Sequence, residues 1–194
     1  MTRGLAAAFV VVLVGVSVAH ADTSSDTRFT WSSNEFASYC GFESATYLRA
    51  DRDWFTDRNY SDKWHETSEA KLKTCSDCYR VADVAKLGPA VRVVRLIMTS
   101  ESGDWFHEIT YCFDSNDKLR AASAIFNCAW GWSYVTVYAF HEGGLKLQDS
   151  RWQNLETGKQ ISRPETADEM KDHWSEVPVY KLFSQFPFAK LIAK

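Results

Sequence analysis

The chain has 194 residues, of which 45% are hydrophobic, and its formal net charge at pH 7 is −3. This length is enough for one domain with a sizeable hydrophobic core. The mildly acidic balance, without any cluster of basic residues, excludes the electrostatic footprint of a nucleic-acid-binding protein and gives no reason to expect an anionic membrane as partner.

The first 21 residues predict a secretory signal peptide. Arg3 precedes the apolar run Leu5–Val18, and the segment Ala19–Ala21 (Ala-His-Ala) has a small-x-small cleavage pattern. The run of about 14 residues is shorter than the roughly 20 residues that a membrane span needs. We therefore expect export to the periplasm or the extracellular space, cleavage near Ala21, and no membrane span afterwards. Residues 22–194 are then expected to form a single domain.

Two helices are predicted in the N-terminal part of this domain. The first begins at Ser32, where Glu35 three residues later completes a capping-box pattern. Its residues at roughly helical spacing are Phe36, Cys40 and Tyr47. The second helix is expected within Ser61–Cys75, which is rich in good helix formers. Its shared stripe consists of Trp64, Ser68 and Leu72.

Beyond residue 90 the pattern changes to that of strands. No proline occurs between Pro89 and Pro164, which suits central strands of a sheet. Segments of about nine residues alternate in polarity and are separated by short turn sequences, which predicts an antiparallel meander. These segments are 90–100, 104–113, 119–127, 132–140 and 145–153.

The C-terminal part predicts a short helix followed by an apolar tail. Pro164–Trp174 has proline at a favourable first helical position. Residues 177–194 are so apolar and aromatic that we expect them to dock on the body of the domain. The predicted fold is therefore α+β: N-terminal helical segments, a curved antiparallel meander of four to six strands, a short C-terminal helix and a docked tail.

Cys75 and Cys78 form a CxxC motif with four conceivable roles. A haem attachment motif requires histidine after the second cysteine, and this chain has Tyr79. A thioredoxin-type centre lies at a strand–helix junction of a βαβ unit, and no crossover helices are predicted here. A zinc site lacks a second CxxC pair, although His65 leaves an irregular site open as an alternative. A structural disulfide in an exported protein is the favoured interpretation.

The five cysteines leave at least one thiol unpaired if all disulfides form within the chain. Cys112 and Cys128 are predicted at opposite ends of one hairpin, about 25 Å apart, whereas a disulfide needs Cα atoms within about 7 Å. Cys112 is therefore predicted to be a buried, unpaired residue. The favoured pairing joins Cys40 to Cys75 or Cys78, and a Cys75–Cys78 bridge is the alternative.

Strand alternation predicts one strongly aromatic face on the sheet. If helices cover that face, its side chains form the core. If the sheet curls into a half-open cone, the same side chains line a pocket for a small apolar ligand, with His107 as its polar contact. The candidate ligand-binding residues are Trp105, His107, Tyr111, Trp132, Tyr134 and Tyr138.

The sequence contains no motif that would assign a reaction. It has no Gly-x-Ser-x-Gly elbow and no phosphate-binding glycine loop, and its His-Glu pairs lack the second histidine of a zinc protease. We therefore predict no catalytic residue, metal ligand or cofactor. The predicted function is an exported, non-catalytic module that binds a small apolar ligand or a protein partner. The alternatives are a small enzyme that uses His107 with Glu108 or Tyr111, and a thiol-redox or metal protein centred on Cys75 and Cys78.

Overall fold

The computed structural model describes residues 36, 40, 46–50, 63–75, 78–87 and 91–192. The strands of this part of the chain are β1 (Thr46–Ala50), β2 (Trp64–Thr67), β3 (Arg80–Leu87), β4 (Val91–Thr99), β5 (Trp105–Phe113), β6 (Leu119–Cys128), β7 (Trp132–His141), β8 (Gly144–Asn154) and β9 (Gln160–Ile161). They form one nine-stranded antiparallel sheet in the order β2-β1-β3-β4-β5-β6-β7-β8-β9. The predicted antiparallel meander is confirmed in β3–β9, which is longer than the expected four to six strands, and β1 and β2 extend the sheet out of chain order.

The helices of the described residues are short. They are α1 (Glu69–Lys73), α2 (Lys171–Trp174) and α3 (Ala189–Ile192), with 3₁₀ turns at Glu165–Met170 and Phe183–Gln185. The short helix predicted for Pro164–Trp174 is therefore present as a 3₁₀ turn that continues into α2. Helices make only a minor contribution to this β-rich fold.

The two N-terminal helices predicted from the sequence are not supported. Trp64 lies in β2 and pairs with Ala50, and only five residues of the second predicted helix form α1. The reason is burial: α1 buries no residue, so tertiary packing adds little to its stability, whereas Trp64 enters the core. The first predicted helix is wrong at Tyr47, which lies in β1. Phe36 and Cys40 are helical, and Leu48 lies in β1 with Tyr47; the rest of that prediction lies outside the described residues.

The register divides the sheet into two faces with different covers, because successive side chains of a strand point to opposite faces. We call the face that carries Leu96, Ile109 and Ala124 the core face; the C-terminal segment packs on it. The other, which we call the second face, carries a smaller cluster. That cluster consists of Phe36, Cys40, Val93, Cys112, Ala121 and Val137.

The apolar tail docks on the core face, as predicted. Its aromatic rings Phe183, Phe186 and Phe188 are each 3% exposed or less. Burial of rings of this size stabilises a fold by about 1.5–3 kcal/mol each. Backbone hydrogen bonds fix the tail to the turn between β5 and β6, from Leu119 N to Lys181 O and from Phe183 N to Asp117 O, both 3.0 Å long. The tail is therefore an integral layer of the domain.

Two disulfides are present, and they correct the predicted pairing. Cys40 is bonded to Cys112 with the Cα atoms 5.8 Å apart, and Cys75 is bonded to Cys78 at 5.6 Å. The favoured bond from Cys40 to the CxxC motif is therefore wrong, and so is the unpaired state of Cys112; the alternative Cys75–Cys78 bridge is the one that forms. The distance between Cys112 and Cys128 excludes only that pair, and Cys40, 72 positions away in sequence, reaches Cys112 on the second face.

Cys128 is the free cysteine; it is 1% exposed and lies on the core face. Burial raises the pKa of its thiol. The charge of Asp104 also raises this pKa, and a hydrogen bond with the Trp130 backbone lowers it. We expect alkylation without reduction to label one thiol in denaturant and almost none in the native protein, because the thiol is both buried and protonated. Mass spectrometry counts the labels; three or five labels in denaturant would contradict these disulfides.

Candidate functional site

The register brings all six predicted ligand-binding residues onto the core face. Trp105 is opposite Cys128, which is opposite Trp132; His107 is opposite Phe126, which is opposite Tyr134. Tyr111 and Tyr138 lie in the same way on either side of Ala122. The six residues nevertheless fall into two groups with different surroundings.

Tyr111 lies beneath the C-terminal tail. Its side chain is 0% exposed, and its hydroxyl donates a hydrogen bond to Pro178 O at 3.0 Å. Its ring meets the rings of Tyr180 and Phe186 edge-on, with centroids 5.5 and 5.4 Å away. These contacts give Tyr111 a role in holding the tail. Tyr138 is partly exposed, and burial raises the pKa of its hydroxyl.

The other four predicted residues lie at the opposite end of the core face, within or beside a group of rings that we call the aromatic cluster. Tyr134 stacks on Trp152 with ring centroids 4.2 Å apart. Trp174 of α2 meets both rings edge-on, at 4.9 and 5.3 Å. Trp105 stacks at 5.0 Å on the imidazole of His173. The aromatic cluster consists of Trp105, Phe126, Trp132, Tyr134, Trp152 and Trp174.

Two indole hydrogen bonds fix the segment that covers this cluster. Trp132 Nε1 donates to Thr166 Oγ1 at 3.0 Å, and Trp174 Nε1 donates to Ala167 O at 2.8 Å. Ala167 is 0% exposed and Trp132 is 3% exposed. By contrast, Trp105, Tyr134, Trp152 and Trp174 are each partly exposed. The cluster therefore has a buried floor and a rim of rings that reaches solvent.

His107 lies beside the floor of the cluster. Its side chain is 2% exposed, and its ring meets Phe126 edge-on at 5.7 Å. Burial lowers its pKa from 6.5 to about 4; a hydrogen bond with the His173 backbone opposes this shift, and the charge of His173 adds to it. The imidazole is therefore neutral at neutral pH. Its Nε2 atom is buried and has no hydrogen-bond partner among the residues that the structure describes.

The structure does not assemble either dyad of the predicted enzyme alternative. Glu108 follows His107 in β5 and therefore projects from the second face. Tyr111 shares the face of His107, but it is four residues along the strand, about 13 Å away, and its hydroxyl is bonded to Pro178. The described neighbours that act on His107 are the ring of Phe126 and the backbone and imidazole of His173, so the site offers rings and a second imidazole but neither predicted dyad.

The second face carries a charged cluster that sequence reasoning missed. Arg95 Nε donates to Asp83 Oδ2 at 2.7 Å, and its Nη2 atom contacts the same oxygen. Asp83 is 2% exposed; burial raises its pKa, while Arg95 lowers it. Burial also raises the pKa of Glu108; the charge of Arg95 lowers this pKa, and the charge of Asp83 raises it further. The available signal was that Asp83 and Arg95 each stand between two apolar residues of their strands.

Replacement of Arg95 by Leu is expected to lower the free energy of unfolding by about 3 kcal/mol at pH 7, because it leaves the Asp83 carboxylate buried and unpaired. The loss should be smaller at pH 4, since the raised pKa of Asp83 then allows protonation. Urea denaturation at both pH values measures the difference. Adding Asp83→Asn should restore most of the stability at pH 7; equal losses at the two pH values would contradict this account.

The CxxC disulfide follows the C-terminus of a helix, a position that does not activate a thiol. Cys75 follows the C-terminus of α1, and its backbone N donates to Leu72 O at 3.2 Å. Thiolates are stabilised at helix N-termini, where the dipole is positive. Within the described residues, no group of three or more His, Cys, Asp or Glu side chains could hold a metal ion.

The described part of the chain contains no helix that is both long and apolar enough to cross a membrane. Comparison of the chain with protein-family models, with curated proteins and with solved structures finds no match.

Proposed function

We propose that this chain is an exported, disulfide-stabilised domain that binds a small apolar ligand at the aromatic cluster and catalyses no reaction. The observation that carries the proposal is the rim of partly exposed rings around the buried His107. Aromatic walls with a single polar group are the usual make-up of a small-ligand site. The signal-like N-terminus supports export, and the two disulfides are compatible with it.

Binding without catalysis fits the charges at this site. His107 has a pKa lowered to about 4, so its ring is not in the imidazolium form that acts as a general acid at neutral pH, and a base so weak is poorly matched to proton abstraction. The nearest carboxyl in the strand, that of Glu108, lies on the other face. A neutral acceptor among rings orients a ligand rather than activating it.

The proposal is tested with indole as the probe, by isothermal titration calorimetry. We expect saturable binding with a dissociation constant on the order of 0.1–1 mM, as suits a ligand of this size. Trp152→Leu should weaken binding about tenfold, since it removes a stacking wall of the cluster.

Trp130→Leu is the matched control. Trp130 is 50% exposed in the turn before β7 and is not part of the cluster, so its replacement should leave the affinity unchanged. Absence of saturable binding, or equal weakening by the two variants, would overturn the proposal. Circular dichroism verifies that both variants keep the sheet.

A further inference from the structure

We infer that the ligand is a neutral planar ring with an N–H or O–H donor, which displaces the His173 imidazole from Trp105 and donates its hydrogen to His107 Nε2. This inference rests on the proposed function, whose site it refines. It adds the chemical class of the ligand and the movement that admits it.

The first observation is the orphaned acceptor. His107 is 2% exposed, and its Nε2 atom has no hydrogen-bond partner among the described residues. The His173 backbone acts on the ring and raises its pKa, against the larger effect of burial. A neutral imidazole carries its proton on one nitrogen and accepts at the other; we assign the proton to Nδ1, which leaves the unpartnered Nε2 as the acceptor. Buried polar atoms in native proteins are nearly always satisfied, and each exception requires an explanation.

The second observation is the ring that lies against Trp105. The His173 imidazole stacks on Trp105 with centroids 5.0 Å apart and an angle of 23° between the planes. His173 itself is exposed, and α2 buries none of its residues. The indole face of Trp105 is therefore covered by a side chain that little holds in place. A flat ring of similar size can take this position once His173 turns outward into solvent.

These two observations fix the class of ligand. The stacked geometry on Trp105 selects a planar ring, and the lone pair of Nε2 selects a ligand that donates rather than accepts a hydrogen bond. A charged ring would lose its hydration against Trp105 and Phe126, whose side chains carry no charge to pair with it. Indole and phenol belong to this class, and their N-methylated and O-methylated derivatives keep the shape but lose the donor.

The test compares indole with 1-methylindole on the wild-type protein. Isothermal titration calorimetry should show that 1-methylindole binds about tenfold more weakly, because it leaves Nε2 unsatisfied. Indole, but not 1-methylindole, should shift the ¹⁵N resonance of His107 Nε2. In His107→Leu the two probes should bind equally. His173→Ala, a change at the surface, should strengthen the binding of both probes by removing the competing ring.

The outcomes separate this inference from the proposed function. Equal affinities of the two probes for the wild-type protein, with indole binding still weakened by Trp152→Leu, would overturn the inference alone. Weaker binding to His173→Ala would overturn the displacement of His173. Failure of both probes to bind either the wild-type protein or His173→Ala would overturn the inference and the proposed function together.

Discussion

Removal of the Cys40–Cys112 disulfide is expected to lower the free energy of unfolding by about 4 kcal/mol. The bond joins residues 72 positions apart, so it excludes many extended conformations of the unfolded chain. The double variant Cys40→Ala, Cys112→Ala removes the bond without introducing a polar group into the second-face cluster, where the two residues are 2% and 0% exposed.

The Cys75–Cys78 bond provides a matched control within the same chain. Its sequence separation is only 3, so the same loop-entropy relation gives about 2 kcal/mol for Cys75→Ala, Cys78→Ala. Urea denaturation of the two double variants and the wild-type protein measures both losses. Equal losses would contradict the assignment of the Cys40–Cys112 bond as the main covalent constraint on the fold.

The Cys40–Cys112 bond also holds residues that cover part of the second face. Cys40 and Phe36 are the described residues outside the sheet in the second-face cluster, and the disulfide attaches them to the C-terminal end of β5. Without the bond, no disulfide would hold them against β5. We therefore expect the larger loss to be accompanied by increased binding of a hydrophobic dye to the exposed second face.

The long strands were predictable from the sequence because each carries its own signal. Alternation alone placed a strand at 132–140 and another at 145–153, and the structure has β7 at Trp132–His141 and β8 at Gly144–Asn154. Such segments satisfy the pattern of a sheet with one buried face over about nine residues. No competing local preference disturbs them.

The short strands could not be predicted, because pairing between distant segments decides them. β2 has four residues and lies beside good helix formers, so helix propensity pointed the wrong way. Pairing of Trp64 with Ala50 overrides that weak preference. The Cys40–Cys112 bond was not predicted for the same reason, since its two cysteines come together only in the folded chain.

The candidate site was predictable in part. Strand parity correctly placed six aromatic-face residues together, because the side-chain period is fixed by the backbone. Which of them would be enclosed depends on the tail, whose Pro178 O meets Tyr111 across 67 positions. The sequence around Tyr111 and His173 contains no signal that predicts these contacts.

Acidification from pH 7 to pH 4 is expected to reduce the free energy of unfolding by about 3 kcal/mol through His107 alone. Burial lowers the pKa of this side chain from 6.5 to about 4 in the folded protein. Between pH 6.5 and pH 4 the unfolded chain therefore binds a proton at His107 that the native state does not bind. The stabilising contribution is complete above pH 6.5 and is lost as the pH falls toward 4.

The buried carboxyls act in the opposite direction and must be separated from this effect. Burial raises the pKa values of Asp83 and Glu108, so their protonated forms favour the native state, and the associated stability declines as pH rises through the folded pKa values. His107→Leu isolates the histidine, because it retains both carboxyls. Urea denaturation at pH 7, 5.5 and 4 should show that, as the pH falls, the free energy of unfolding of the variant rises relative to that of the wild type by about 3 kcal/mol. Parallel pH profiles would show that the native state binds a proton at His107 as readily as the unfolded chain does, which would contradict the lowering of its pKa by burial beside the aromatic cluster.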